Sequence, residues 1–294
     1  VVKICNYFVT LQSNDTCEFC QAWQGSESQN TRLAEYQTVI DKLEEIAQKG
    51  GKTIVFTGGE ALLRGDLPDI LQKSKELEFK NILYTNGLLF ESKADAIKDN
   101  VDILYFQLDY PFAEAHDRSR GIECFAEVID GLRMSKEKGI NARINFNLSR
   151  DSVLYFPEMV DLAEKLDVAV DLCPVESFAG LQGFNKESIR AIKYYSRNKH
   201  VLVNPAMLSF INHRGNNIMF PRCRAKQATI TMLPDAKLVS PCVYNQNGKQ
   251  GKEPVCFACM RWLYMLPSFD LGLDKYYWMN RWSKFINKRK GSAT

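Results

Sequence analysis

The sequence has little charge imbalance, little histidine and no long apolar run. Its formal net charge is +3, from 38 basic and 35 acidic residues, which is too small to argue for a nucleic-acid partner. The longest apolar runs, such as residues 53–56 and 201–203, are far too short to cross a bilayer. No charged-then-apolar N-terminal segment reads as a signal peptide, so a reducing cytoplasm is the expected compartment. His116, His200 and His213, the three histidines, lack metal-binding spacing with one another. No low-complexity tract and no repeat beyond a strand–helix unit is visible. What remains is an ordinary globular composition, 45% hydrophobic and 25% charged over 294 residues, enough for one large α/β domain with a small appendage.

Nine cysteines stand out. Their number is odd and they are clustered, unlike a disulfide framework. Cys17 and Cys20 form one C-x-x-C, and Cys256 and Cys259 form another. Close cysteine pairs without a secretory signal point to metal or redox chemistry.

Hydrophobic periodicity predicts an alternation of short strands and helices. Strands are expected at 1–11, 53–56, 81–84, 103–108, 140–148 and 168–172. Helices are expected at 31–48, 66–77, from Asn86-Gly87 to about residue 100, and at 125–138, 156–166 and 186–195. The first helix puts Leu33, Tyr36, Ile40, Leu43 and Ile46 on one face, and Asp66 is a plausible N-cap for the second. Parallel strands need crossovers, so six such units imply a partial (β/α)6 TIM-like barrel. The pattern breaks near Asn204. A hairpin comes next, with strands at 229–233 and 238–240 around Pro234-Asp235-Ala236-Lys237, flanked by Cys223 and Cys242. The expected division is a barrel core, 1–204, and a small cysteine-rich hairpin domain with a helical tail, 205–294.

In parallel β/α sheets the ligand site lies beyond the C-terminal ends of the strands. After the first strand comes Ser13-Asn14-Asp15-Thr16-Cys17-Glu18-Phe19-Cys20, and after the second Thr57-Gly58-Gly59-Glu60. Thr85-Asn86-Gly87 follows the third strand and Asp109-Tyr110 the fourth. The fifth carries Arg143, Asn145 and Asn147. Each piece alone is a common turn or a generic thiol pair; the ordered set is what carries information.

That set, with Tyr7-Phe8-Val9-Thr10 before it and His116-Asp117-Arg118-Ser119-Arg120-Gly121 after Leu108-Asp109, resembles the radical S-adenosylmethionine superfamily over most of residues 1–180. The resemblance implies a [4Fe–4S] cluster on the cysteine loop, with Cys17 and Cys20 as ligands and Ser13 at the third position. It implies that Gly58, Gly59 and Glu60 meet the methionyl ammonium of S-adenosylmethionine and that Phe19 packs near the adenine. Asp109 and Asn145 are candidates for ribose or methionyl contacts. It further implies reductive cleavage to a 5′-deoxyadenosyl radical, a one-electron reductant such as flavodoxin or ferredoxin, and a small-molecule or peptide substrate. The cofactor supplies the hard chemistry and the barrel excludes water.

One position departs from the family. The usual loop is C-x-x-x-C-x-x-C, and here it reads S-x-x-x-C-x-x-C from Ser13. Cys5 is no substitute: eight residues earlier on a strand, at ~3.3 Å each, it lies about 26 Å away and reads as a small core residue. Three readings stay open. Ser13 ligates iron through oxygen, the cluster takes an outside ligand beside Cys17 and Cys20, or the site is a degenerate scaffold.

Cys223, Cys242, Cys256 and Cys259 surround the hairpin. Four thiols including a C-x-x-C suit structural zinc. Cys223-Arg224-Ala225, Leu233-Pro234-Asp235 and Ser240-Pro241-Cys242 instead resemble the SPASM or twitch extension of radical enzymes, which implies one auxiliary iron–sulfur cluster. Cys124 and Cys173 read as core residues, and His116-Asp117-Arg118 as a capped loop. The tail, 270–290, places Tyr276, Tyr277, Trp278, Trp282, Phe285 and Ile286 near basic residues. A helix packed on the barrel is expected there, with a membrane surface or a partner as the alternative.

Overall fold

The structure, a computed structural model, describes residues 3–17, 32–174, 186–212, 223–241 and 261–290. The chain divides into two units. The first combines Val1–Leu108, Phe112–Arg143 and Thr229–Pro241, and the second Asp109–Pro111, Ile144–Ala228 and Cys242–Thr294.

In the first unit, strands β1 (Ile4–Thr10), β2 (Thr53–Gly58), β3 (Lys80–Thr85) and β4 (Ile103–Leu108) alternate with helices α1 (Tyr36–Gln48), α2 (Leu67–Glu76) and α3 (Phe90–Ile97). β1 pairs with β2, β2 with β3 and β3 with β4, all in parallel. The core beneath this sheet includes Phe56, Leu83, Phe90 and Phe106, all fully buried; each such side chain contributes about 1.5–3 kcal/mol of transfer free energy.

Three expectations need correction here. The hairpin, β8 (Thr229–Met232) and antiparallel β9 (Leu238–Val239), does not stand apart: β8 pairs in parallel with β1, with Cys5 opposite Ile230. It covers an edge of β1 that would otherwise leave backbone groups without strand partners. Asp66 does occupy the N-cap position of α2 as expected, although its carboxylate makes no capping bond and pairs with Arg64, Nε to Oδ1 at 2.6 Å. His116-Asp117-Arg118 lies in a helix, α4 (Ala113–Arg120), where Glu114 and Arg118 pair at 2.6 Å across one turn and Gly121, at φ +67°, ends it. A helix this short and polar gives almost no periodic signal. α1 also starts later than expected, at Tyr36, which leaves Leu33 and Tyr36 exposed.

After α4 come α5 (Phe125–Glu137) and β5 (Ala142–Leu148), along which the chain passes from the first unit to the second. The second unit continues with α6 (Phe156–Leu166), β6 (Ala169–Pro174), α7 (Lys186–Tyr195) and β7 (Val201–Leu202), which is parallel to β6. Among the described residues the helices that follow are α8 (Pro205–Asn212), α9 (Ala225–Ala228), α10 (Trp262–Ser268) and α11 (Lys275–Arg289). Phe269 links α8, α10 and α11, with Phe210 at 6.1 Å, Trp262 at 5.8 Å and Tyr276 stacked at 5.0 Å. Mostly parallel strands alternating with helices match the expected partial TIM-like class.

Candidate functional site

The turn after β2 is locked to the segment after β1 by contacts that only glycine permits. Gly59 N–H donates to the Thr10 carbonyl and Glu60 N–H to the Gln12 carbonyl, both at 2.8 Å. A Cβ on Gly58 (φ +140°) would lie 2.1 Å from the Thr10 carbonyl oxygen, and one on Gly59 1.9 Å from that of Gln12. Two glycines are therefore a steric requirement of this strand-end turn.

That docking sets Glu60 in the interior, 1% exposed. Its Oε1 accepts from Leu62 N–H at 2.9 Å and Thr85 Oγ1 at 3.0 Å, and its Oε2 from Asn86 N–H at 2.7 Å. Burial nevertheless pushes its pKa up, from 4.5 to about 7, because no cation among the described residues compensates the lost hydration. Asn86 also donates through Nδ2 to Asn14 Oδ1 at 2.8 Å, tying the third strand end to the cysteine loop.

The loop itself is held by α4. Thr16 N–H donates to the Arg120 carbonyl at 2.9 Å. The buried Arg120 guanidinium reaches Asp15 Oδ2 at 3.4 Å and Gln107 Oε1 at 2.8 Å. Ser13 Oγ donates to Asp15 Oδ1 at 2.6 Å, and Cys17 is buried at the end of the described loop. Cys5 is a core residue as expected: fully buried, with burial pushing its thiol pKa up to about 12.

Asp109 and Asn145 both lie in the second unit and meet through one intermediary. Asn147 Nδ2 donates to Asp109 Oδ1 at 2.7 Å, and Asn145 Nδ2 to Asn147 Oδ1 at 3.1 Å. Cys124 is buried beside His116, Sγ to Nε2 at 3.5 Å, where Asp117 Oδ1 accepts from Cys124 N–H and Phe125 N–H and so caps α5. Cys173 is half-buried and Cys223 is exposed. Phe19, Cys20, Cys242, Cys256 and Cys259 lie outside the described residues.

The residues that sequence reading did not single out are Asp15, Thr85 and Arg120. Asp15 and Arg120 are 105 positions apart, so no local spacing could pair them. Arg120 was visible only as one of two arginines in Arg118-Ser119-Arg120-Gly121.

The family model described as "Radical SAM superfamily" matches residues 7–158, more than half of the chain. The chain belongs to the Radical SAM superfamily. Membership implies a [4Fe–4S] cluster and S-adenosylmethionine, and it places the chain among enzymes.

Among curated relatives of this superfamily member, an AdoMet-dependent heme synthase of Oleidesulfovibrio alaskensis is 31% identical over 166 residues, covering 55% of this chain and 42% of that protein. A Probable GTP 3',8-cyclase of Methanococcus maripaludis is 22% identical and covers 85% of this chain and 95% of the other. The chain thus spans less than half the length of the heme synthase it matches. Among solved structures, Streptococcus suis SuiB bound to S-adenosylmethionine superposes with a TM-score of 0.68 at 16% identity, covering 90% of this chain and 65% of that one. Native anSMEcpe with bound AdoMet and Cp18Cys peptide gives 0.65 at 12% identity, covering 98% and 97%. At these identities the structural likeness speaks to fold alone. No helix among the described residues is long and apolar enough to cross a membrane.

Proposed function

We propose that this radical SAM protein cleaves S-adenosylmethionine reductively at a [4Fe–4S] cluster and uses the resulting 5′-deoxyadenosyl radical to abstract hydrogen from an organic substrate. The observation that carries the reading is Glu60. A carboxylate accepts about four hydrogen bonds; three donors reach this one, and burial without a compensating cation raises its pKa. Such a group suits the methionyl ammonium. Gly58 and Gly59 hold the turn that bears it, and Asp109, Asn145 and Phe19 are proposed for the ribose, methionyl and adenine contacts.

Cys17 and Cys20, with Ser13 in the third place, are the proposed holders of the cluster, which when bound would deliver one electron to the sulfonium. Arg120 and Asp15 keep their loop in place. The Ser13 hydroxyl is engaged with Asp15, and this favours a second reading to be tested beside the first: a member that binds S-adenosylmethionine with weak or no turnover. Cys223, Cys242, Cys256 and Cys259, in the extension 205–294, are proposed to hold one auxiliary iron–sulfur cluster, with zinc as the alternative. The substrate class is proposed to be a cofactor precursor ahead of a peptide, because the relatives matched by sequence are named for heme and GTP chemistry. A flavodoxin or ferredoxin in a cytoplasmic setting is the proposed reductant.

The test is anaerobic reconstitution, iron and sulfide analysis, and chromatography for 5′-deoxyadenosine after reduction with S-adenosylmethionine. About eight irons and 5′-deoxyadenosine from the parent chain are expected. Product from Ser13→Cys but not from the parent would establish the second reading. None from either sinks the radical reading.

A further inference from the structure

The last helix, α11, is built inside out relative to an ordinary surface helix. α1 buries Val39, Ile40, Leu43 and Ile46. α11 instead buries Tyr276, Asn280 and Ser283. Successive residues turn by about 100°, so Trp278, Trp282 and Phe285, at i, i+4 and i+7, form one stripe on the opposite side. They are 61%, 59% and 48% exposed, and Leu273 in the preceding loop is 85% exposed.

This rotation is enforced by polar anchors. Asn280 Nδ2 donates to Asp270 Oδ1 and its Oδ1 accepts from Asn204, both at 2.8 Å. Ser283 Oγ donates to the Val203 carbonyl at 3.3 Å. Lys290 Nζ donates to the carbonyls of Ser196, Asn198 and Val201 at 2.6, 3.0 and 2.8 Å. The Asp274 carboxylate caps the helix by accepting from Tyr276 N–H at 2.9 Å and Tyr277 N–H at 3.2 Å. The aromatic stripe is therefore held outward at both ends and in the middle.

Its charge is one-sided. No acidic residue follows Asp274, whereas Lys275, Arg281, Lys284, Lys288, Arg289 and Lys290 do. Lys284 pairs with Asp270 and Lys290 points inward. The Arg289 guanidinium lies 4.3 Å from the Phe285 ring centroid, so a cation sits on the stripe itself.

We propose that the ridge of Trp278, Trp282 and Phe285 docks on an anionic lipid surface, a property separate from the chemistry proposed above. Trp and Phe on one helix side with lysines and arginines around them are the pattern of interfacial helices. A fluid interface accepts a convex ridge without a matching groove, and anionic headgroups complement the unbalanced cations.

The experiment is co-sedimentation of the whole chain with vesicles of phosphatidylcholine alone or with phosphatidylglycerol added, with tryptophan emission recorded. Binding to the phosphatidylglycerol vesicles, a blue shift and release by high salt are expected. Trp278→Ser/Trp282→Ser should abolish the shift, and Lys288→Gln and Arg289→Gln should each weaken partitioning about fivefold. These side chains are exposed, so unchanged melting temperatures certify the fold. Equal behaviour with both vesicle types, or variants that bind as the parent does, overturns the proposal. So does a dimer dissolved by Trp282→Ser, which assigns the ridge to a second copy. Binding of an acidic electron-carrier protein without vesicle binding overturns it in favour of a protein partner.

Discussion

The strand-end region around Glu60 and the helix α11 both break the rule that polar groups face water, in opposite ways. Around Glu60 the polar groups are buried because each is answered by another: Glu60 by Thr85 and Asn86, Asp15 by Arg120 and Ser13. On α11 the polar residues are buried as anchors while the apolar ones are turned out. The first arrangement invests stability in geometry, since a buried group that loses its partner is costly. The second leaves apolar surface in water, and its removal should cost the isolated fold little. The difference separates a polar cluster held by buried partners from an apolar surface left exposed.

The sharpest way to break this contrast is Arg120→Leu. It leaves Asp15 buried without its cation and should cost about 3–5 kcal/mol, read as a fall in the denaturation midpoint at an unchanged slope. A loss below about 1 kcal/mol would mean that the pair is effectively solvated. The next effect is pH dependence. Glu60 has a higher pKa folded, about 7, than its ordinary 4.5, so between these values the folded state binds the proton more. Its contribution to stability is therefore greatest at low pH and declines as pH rises through about 7, by on the order of 3 kcal/mol. Glu60→Gln should remove that slope from a stability profile taken without S-adenosylmethionine. With it, the parent should bind more tightly as pH rises through the same window.

Gly59→Ala comes next, at about 1–3 kcal/mol, because its Cβ would meet a backbone carbonyl rather than a yielding side chain. The smallest effect belongs to α11: Trp282→Ser should leave stability within about 0.5 kcal/mol. A large loss there would place the stripe against protein and erase the contrast.

Six strands and most of their helices were legible in the amino-acid sequence, because alternation at two residues and recurrence at 3.6 are local signals. The Gly58-Gly59-Glu60 turn and the cysteine loop were legible for the same reason: each directly succeeds a strand, and parallel strands gather their succeeding loops at one end of the sheet. α4 was not, since eight mostly polar residues carry no apolar period. Nor was the union of β8 with β1, because a strand's own residues do not say which open edge it will fill. Asp15 and Arg120, and Asn280 with Asn204, meet across 105 and 76 positions. The sequence by itself determined the alternating elements, the family motifs and the departure at Ser13. Only the tertiary structure decided which carboxylates are buried, which arginine answers them and which side of α11 faces out, because burial and hydrogen-bond partners are set by residues distant along the chain.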